Sequence, residues 1–348
     1  MATPPVHVTV SGRTDVGRTR DHNEDTFLVA DLGTGLTTVE PGVKSQLVGT
    51  RGLLLMVADG MGGAAAGELA SELAAKTIHA HLASTWSNDP DLTRERFAFR
   101  VREAVEEANA QIHGYALEHP DVRGMGTTVT AAGVFGADLY LAQIGDSRAY
   151  LVRRSVATQL TRDQSLTQRL VDAGELTEEE AEKSERRNII LQALGPDPQV
   201  RVDLTYEPLF RGDVVILCSD GLSGLVRRDE LAEHAVRLTD LDRLCSALID
   251  LANERGGSDN ITVVAARFEG PGLPLGVTET APGHHVFALP GDTPPEEDIR
   301  VGFPTGESLP AVRTAAATPP VVRARPPVGI ISAGLLLLAA LLYFLIIR

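Results

Sequence analysis

Three aspartates in this chain each sit in a glycine-bearing turn at the end of a strongly apolar run. Leu53-Leu54-Leu55-Met56-Val57-Ala58 leads into Asp59-Gly60-Met61-Gly62-Gly63, and Val214-Val215-Ile216-Leu217-Cys218-Ser219 leads into Asp220-Gly221. Gly256-Gly257-Ser258-Asp259-Asn260 opens the run Ile261-Thr262-Val263-Val264-Ala265-Ala266. Short apolar runs rich in β-branched residues and bounded by glycine read as buried strands. Three carboxylates would thus stand where buried strands meet loops. Carboxylates gathered in such a place repel one another unless cations neutralise them, so the pattern points to a site for hard metal ions.

The rest of the composition narrows the setting. An apolar fraction of 43% over 348 residues supports one large catalytic domain with appendages. A net charge of −15 argues against nucleic-acid binding, because no basic stripe offsets it. Cys218 lies inside a strand run and Cys245 inside an amphipathic helical pattern, so neither reads as part of a disulfide framework or zinc site. A reducing compartment is expected. Met1 to Val10 has neither a basic nor an apolar signal region, so no secretory signal is expected.

Residues 6–268 alternate strand-like and helix-like segments. Strands are expected over His7–Thr14, Asp25–Asp31 and Gly52–Ala58, with Gly33–Arg51 as a loop. Long amphipathic helices follow at Ala65–Ala83 and Arg94–Leu117, then a β-meander over Thr127–Val134, Leu139–Ile144 and Ala149–Arg153. Helical Ser165–Gly174 and acidic Leu176–Ser184 come next, then strands at Val200–Tyr206 and Val214–Ser219. Helices at Asp229–Arg237 and Leu241–Arg255 precede a last strand, Ile261–Phe268. Hairpin-rich strands with paired helices predict antiparallel sheets with helices outside.

Residues 269–327 hold 12 of the 20 prolines and two aromatics, Phe287 and Phe303, which reads as a linker unable to bury a core. Val328 to Ile347 is a run of 20 residues without a charge. At about 1.5 Å per residue it spans roughly 30 Å, a bilayer core, and reads as a transmembrane helix. Arg323 and Arg325 before it, against Arg348 after it, put the catalytic part in the cytoplasm. The expectation is a single-pass, tail-anchored protein of the cell membrane.

Single motifs here are weak. Asp59-Gly60-Met61-Gly62-Gly63 between strand and helix superficially suits a dinucleotide turn, but no second strand ending in an acid follows about 20 residues on. Arg20 and Glu24, four residues apart, share a face if extended, so a guanidinium for phosphate and a metal-binding carboxylate could line one cleft. Gly126-Thr127-Thr128 and Gly145-Asp146-Ser147-Arg148 complete the set.

In order and identity, these segments resemble the metal-dependent protein phosphatases of the protein phosphatase 2C group over Val6 to Phe268. Leu160–Ser165 through Leu170–Gly174 to Arg187–Ile190 resembles the bacterial branch, which opposes Ser/Thr protein kinases. The resemblance implies an α+β fold, a four-layer α/β/β/α sandwich around a central antiparallel β-sandwich, to which the C-terminal transmembrane helix is added. It implies that Asp59 bridges two Mn²⁺ or Mg²⁺ ions, with the Gly60 carbonyl and Glu24 on one and Asp220 and Asp259 on the other. Asp146 and Asp220 would offer a weaker third site. Asn188 stands where bacterial relatives place a flap serine ligand, which weakens that third site further. Arg20 would grip the phosphate, and Asp59 and Asp220 would organise the reaction. An all-oxygen set suits Mg²⁺ or Mn²⁺ rather than zinc, and two such ions make water nucleophilic at neutral pH.

Eukaryotic relatives often carry a histidine after the Asp-Gly as a proposed acid; here the residue is Met61, and His22 is only a distant substitute. The flap, Arg162 to Asn188, either gates substrates or is a solvated insertion. The expected activity is hydrolysis of phosphoserine and phosphothreonine in proteins, with Ser/Thr kinases and their substrates as partners. The alternative is a catalytically silent phosphopeptide-binding scaffold, which would lack one or more of the acids; none is missing. A phosphatase dedicated to an anti-sigma pathway would bring a sensor domain, for which the remaining sequence has no room.

Overall fold

The computed structural model of the chain describes residues 4–38, 42–275, 281–290 and 292. Its centre is β5 (Leu53–Met61), and the alternation of side chains along that strand explains the layering. Leu53, Leu55 and Val57 face one buried cluster, while Leu54, Met56 and Ala58 face another. A strand covered on both sides has no reason to alternate with polar residues, hence the unbroken apolar run in the sequence.

Two antiparallel sheets form the sandwich. The strands are β1 (His7–Asp15), β2 (Asp25–Asp31), β3 (Thr37–Thr38), β4 (Gly42–Leu47), β5, β6 (Gly126–Thr127) and β7 (Val129–Phe135). They continue with β8 (Asp138–Ile144), β9 (Arg148–Arg153), β10 (Val156–Gln159), β11 (Asp203–Pro208), β12 (Val214–Cys218) and β13 (Ile261–Glu269). One sheet runs β10-β9-β12-β13-β1-β4 and the other β11-β8-β7-β5-β2-β3, with β6 paired to β5. Between them lies a core that includes Val8, Phe27, Val57, Leu141, Leu217 and Phe268.

Helices cover both outer faces. On the second sheet lie α1 (Ala64–Thr85) and α2 (Arg94–Glu118), whose buried Ala70, Ala74, Ala104 and Ala108 let the two helices pack closely. Phe97 on α2 sits edge-on to Trp86 and Tyr140, at ring separations of 5.2 and 5.6 Å. Short α3 (Leu166–Asp172), α4 (Glu178–Glu182) and α5 (Asp220–Ser223) follow, then α6 (Arg228–Arg237) and α7 (Leu241–Glu254). Leu231, Leu244 and Leu248 of α6 and α7 close the first sheet over Ile216, Val263 and Ala265. Cys218 and Cys245 are buried free thiols. The four-layer expectation holds.

Three differences from the sequence reading have physical reasons. Gly33–Arg51 is not all loop. β4 pairs with β1 from His7↔Leu47 to Gly12↔Gly42 as an edge strand; its Leu47 is exposed, so no buried apolar run marks it. β10 is likewise an outer strand, paired among the described residues to β9 alone. The stretch after β13 is not uniformly linker, because Leu273, Phe287 and Leu289 are buried. The expected transmembrane segment, 328–347, lies outside the described residues; among the described ones no helix is long and apolar enough to cross a membrane.

Candidate active site

Strand ends set the acids in place. Asp59 lies near the end of β5 and is in register with Asp25 of β2, so two carboxyls start on adjacent strands. Asp220 begins α5 directly after β12. Asp259 precedes β13, and Asp146 sits in the turn between β8 and β9.

Each turn is held by specific bonds. The Thr128 hydroxyl accepts from the Asp59 amide (3.1 Å), the Thr127 hydroxyl donates to the Asp59 carbonyl (2.9 Å), and Thr128 and Ser147 hydroxyls pair at 2.8 Å. The Gly-Thr-Thr and Gly-Asp-Ser motifs therefore brace Asp59 and Asp146 together. Asn260 fastens the N-terminal segment: Nδ2 donates to the carbonyls of Val16 and His22, at 3.0 and 2.8 Å, and Oδ1 accepts from the Glu24 amide at 2.8 Å. A single amide thus ties Glu24 to the loop that carries Asp259. Two glycines are required by close approach. A Cβ on Gly67 of α1 would stand 1.9 Å from Glu24 Oε2, and one on Gly221 would stand 2.0 Å from the Asn260 carbonyl.

The electrostatics are those of crowded, partly desolvated anions. Burial, then the charges of Asp25, Asp220, Asp146 and Asp259, push the Asp59 carboxyl well above the carboxylate range. Burial and then Asp220 raise Asp146 to about 8. Burial raises Asp25 to about 7 although Ser219 and Thr262 donate to its Oδ2, both at 2.7 Å. Asp220 is raised by burial and then by the charge of Asp259. Glu24 is raised by burial, against the pull of Arg20.

Arg20, expected on the face of Glu24, donates to Asp259 Oδ2 at 2.9 Å and is half exposed. Asp146, Asp220, Asp259, Arg148, Arg187 and Asn188 line one cleft of about 390 Å³. Met61 is half-buried in β5, and His22 is exposed.

Whether these residues suit divalent cations is answered by their free oxygens. Asp25 Oδ1 and Asp146 Oδ1 are buried with no hydrogen-bond partner. Among the described residues no three His, Cys, Asp or Glu side chains close into a finished metal shell. The donors are nonetheless all oxygen, and Mg²⁺ or Mn²⁺ sites commonly keep waters and main-chain oxygens among their ligands. A loose ring of mutually repelling carboxylates fits such ions.

Asp25, Ser219, Thr262 and Asn260 stand in motifs or runs whose sequence alone gives them no task. The signal was there in hydroxyls interrupting buried apolar strands. Arg148 is a further such residue: its guanidinium clasps Asp163, with Nη2 to Oδ2 at 2.7 Å, beside Asp146.

Acids at the ends of a two-sheet sandwich, lining a cleft with a guanidinium at its edge, define the class of metal-dependent phosphatases. The family model described as Protein phosphatase 2C matches residues 44–260, and the chain belongs to that family. It is 38% identical over 253 residues to the serine/threonine phosphatase stp of Listeria monocytogenes, covering 72% of this chain and 92% of that protein. It is also 38% identical over 266 residues to the serine/threonine protein phosphatase PstP of Mycobacterium tuberculosis, spanning 76% of this chain and 46% of that protein. The solved catalytic domain of PstP in complex with two manganese ions is similar to it at TM-score 0.61 and 35% identity, over 76% of this chain and 99% of that one.

The raised carboxyls predict how the metal-stripped chain responds to pH. A carboxyl with a raised folded-state pKa binds more protons folded than unfolded, so its stabilising contribution falls as pH rises. The window runs from the ordinary value near 4 to about 7 for Asp25 and about 8 for Asp146. Thermal midpoints in chelator should fall between about pH 5 and 8, and Asp146→Asn should flatten the fall. Midpoints that rise over that window, or a variant with the wild-type slope, would contradict this electrostatic picture.

Proposed function

We propose that the chain is a membrane-tethered protein phosphatase acting from the cytoplasmic side on Ser/Thr kinases and their substrates. The activity itself, metal-dependent dephosphorylation of serine and threonine in proteins, follows from the family. In this reading Asp59, the Gly60 carbonyl and Glu24 would hold one ion, and Asp59, Asp220 and Asp259 would hold a second. Asp146 and Asp220, beside Asn188, would hold a third ion more weakly. Two Mn²⁺ or Mg²⁺ ions bound there would make water nucleophilic at neutral pH and would offset charge on the phosphoryl oxygens.

The chain's own residues do the rest. Arg20 exchanges its bond to Asp259 for the phosphate, where a guanidinium contacts two oxygens at once. Thr127, Thr128 and Asn260 fix the acids so that little reorganisation is needed when charge develops. The observation that carries the reading is that Asp146, Asp220 and Asp259 line one cleft while Asp25 and Asp146 each keep a buried oxygen unpartnered. It also weighs against a silent scaffold, which has no use for such a costly cluster.

Asp220→Asn should reduce Mn²⁺-dependent phosphate release from a phosphothreonine peptide by at least about a hundredfold while circular dichroism stays unchanged. Turnover equal to wild type would remove Asp220 from the site.

The uncharged run Val328 to Ile347, preceded by Arg323 and Arg325, supports the membrane tether, which would raise local concentration near membrane-borne substrates. Deleting residues 328–348 should move the protein from the membrane fraction to the soluble one with phosphatase activity retained. A full-length chain recovered in the soluble fraction would refute the anchor.

A further inference from the structure

Beyond the family match, which ends at residue 260, a segment of the proline-rich tail docks against the second sheet. The antiparallel bridge Thr205↔Val286 places it alongside β11, the outer strand of that sheet. The Tyr206 amide donates to the His285 carbonyl at 2.9 Å, and the Phe287 amide donates to the Leu204 carbonyl at 2.8 Å. These are strand-type bonds, and the side chains alternate accordingly. Phe287 and Leu289 are buried, whereas Val286 and Ala288 are exposed.

Side chains add selectivity to the backbone pairing. Phe287 enters an aromatic cradle, edge-on to Tyr140 at 5.2 Å and Tyr206 at 5.5 Å, with the Arg94 guanidinium 6.0 Å from its ring. At one end His284 Nε2 meets Asp203 Oδ2. At the other, Asp292 accepts from Arg102 at 2.6 Å while its second oxygen accepts from the Leu289 amide at 2.8 Å. Beneath the segment Glu207 is buried, its Oε2 without a hydrogen-bond partner and 3.8 Å from His285 Nε2. None of these residues lines the catalytic cleft.

We propose that the β11 edge and the Tyr140–Tyr206–Arg94 cradle form a peptide-docking site, occupied in cis by this chain's own Ala281–Asp292 segment through strand addition. Main-chain pairing supplies the register, the Phe-x-Leu pair supplies the anchor, and the Arg102–Asp292 clasp fixes direction. The described residues beyond β13 thus keep contact with the folded body as far as Asp292. An outer strand that would otherwise offer unpaired amides to another chain is closed.

The test uses the full chain and its Phe287→Ala variant. Hydrogen exchange at the Tyr206 amide should be at least about tenfold faster in the variant. A fluorescent peptide of residues 281–292 should bind the variant at least about tenfold more tightly than wild type, because its own segment no longer competes. The same peptide with alanine for Phe287 should not bind. Should Phe287→Ala fail to fold, Asp292→Arg removes only the clasp and should likewise speed exchange at Tyr206, with Arg102→Glu in the same chain restoring it. Equal exchange in variant and wild type, or no peptide binding to the folded variant, overturns the site. A dimer whose Tyr206 protection vanishes on dilution overturns the assignment in cis.

Discussion

Like charges brought together out of water set the terms for this molecule. Asp25, Asp59, Asp146, Asp220 and Asp259 come from distant parts of the chain, and burial first, then repulsion from neighbouring carboxylates, raises the carboxyls of Asp25, Asp59, Asp146 and Asp220. Protons can relieve such a cluster at acid pH, and divalent cations can relieve it at neutral pH. The first keeps the carboxyls inert. The second turns the same unfavourable charge into a binding site, which is why a fold would retain it.

Holding repelling groups in place requires a stiff frame, and the sandwich supplies one. β5 is packed on both faces, so Asp59 cannot relax without disturbing two cores. Apart from the Arg20–Asp259 ion pair, the loops are braced from the side by hydroxyls and one amide. Asp25 takes Ser219 and Thr262, Asp59 takes Thr127 and Thr128, and Asn260 binds the segment carrying Arg20 and Glu24 to the loop of Asp259. These neutral groups position the acids without adding charge of their own.

What could be read in the amino-acid order follows from the same physics. Doubly covered strands announce themselves as apolar runs, so β5, β12 and β13 were legible, and the aspartates at their ends with them. Outer strands were not: β3, β4 and β10 are held largely by backbone pairing, which leaves little mark on residue type. Ala281–Asp292 escaped for that reason too. Proline and glycine around Phe287 read as a linker, and the partners that make it dock, Tyr140 and Tyr206, are far away in sequence. Within the site, Asp59 and Asp220 stood out by their glycine turns. The role of Asp25 did not, since its partners Ser219 and Thr262 become meaningful only once β2, β12 and β13 are seen together.

The central claim is that these acids are a cation site rather than a buried error of charge. Calorimetric titration of Mn²⁺ into the chelator-treated chain measures it directly. Binding of at least two ions per chain, falling by at least one in Asp59→Asn, is the predicted result. A chain that takes up no manganese, or one whose uptake is indifferent to Asp59, would contradict the account.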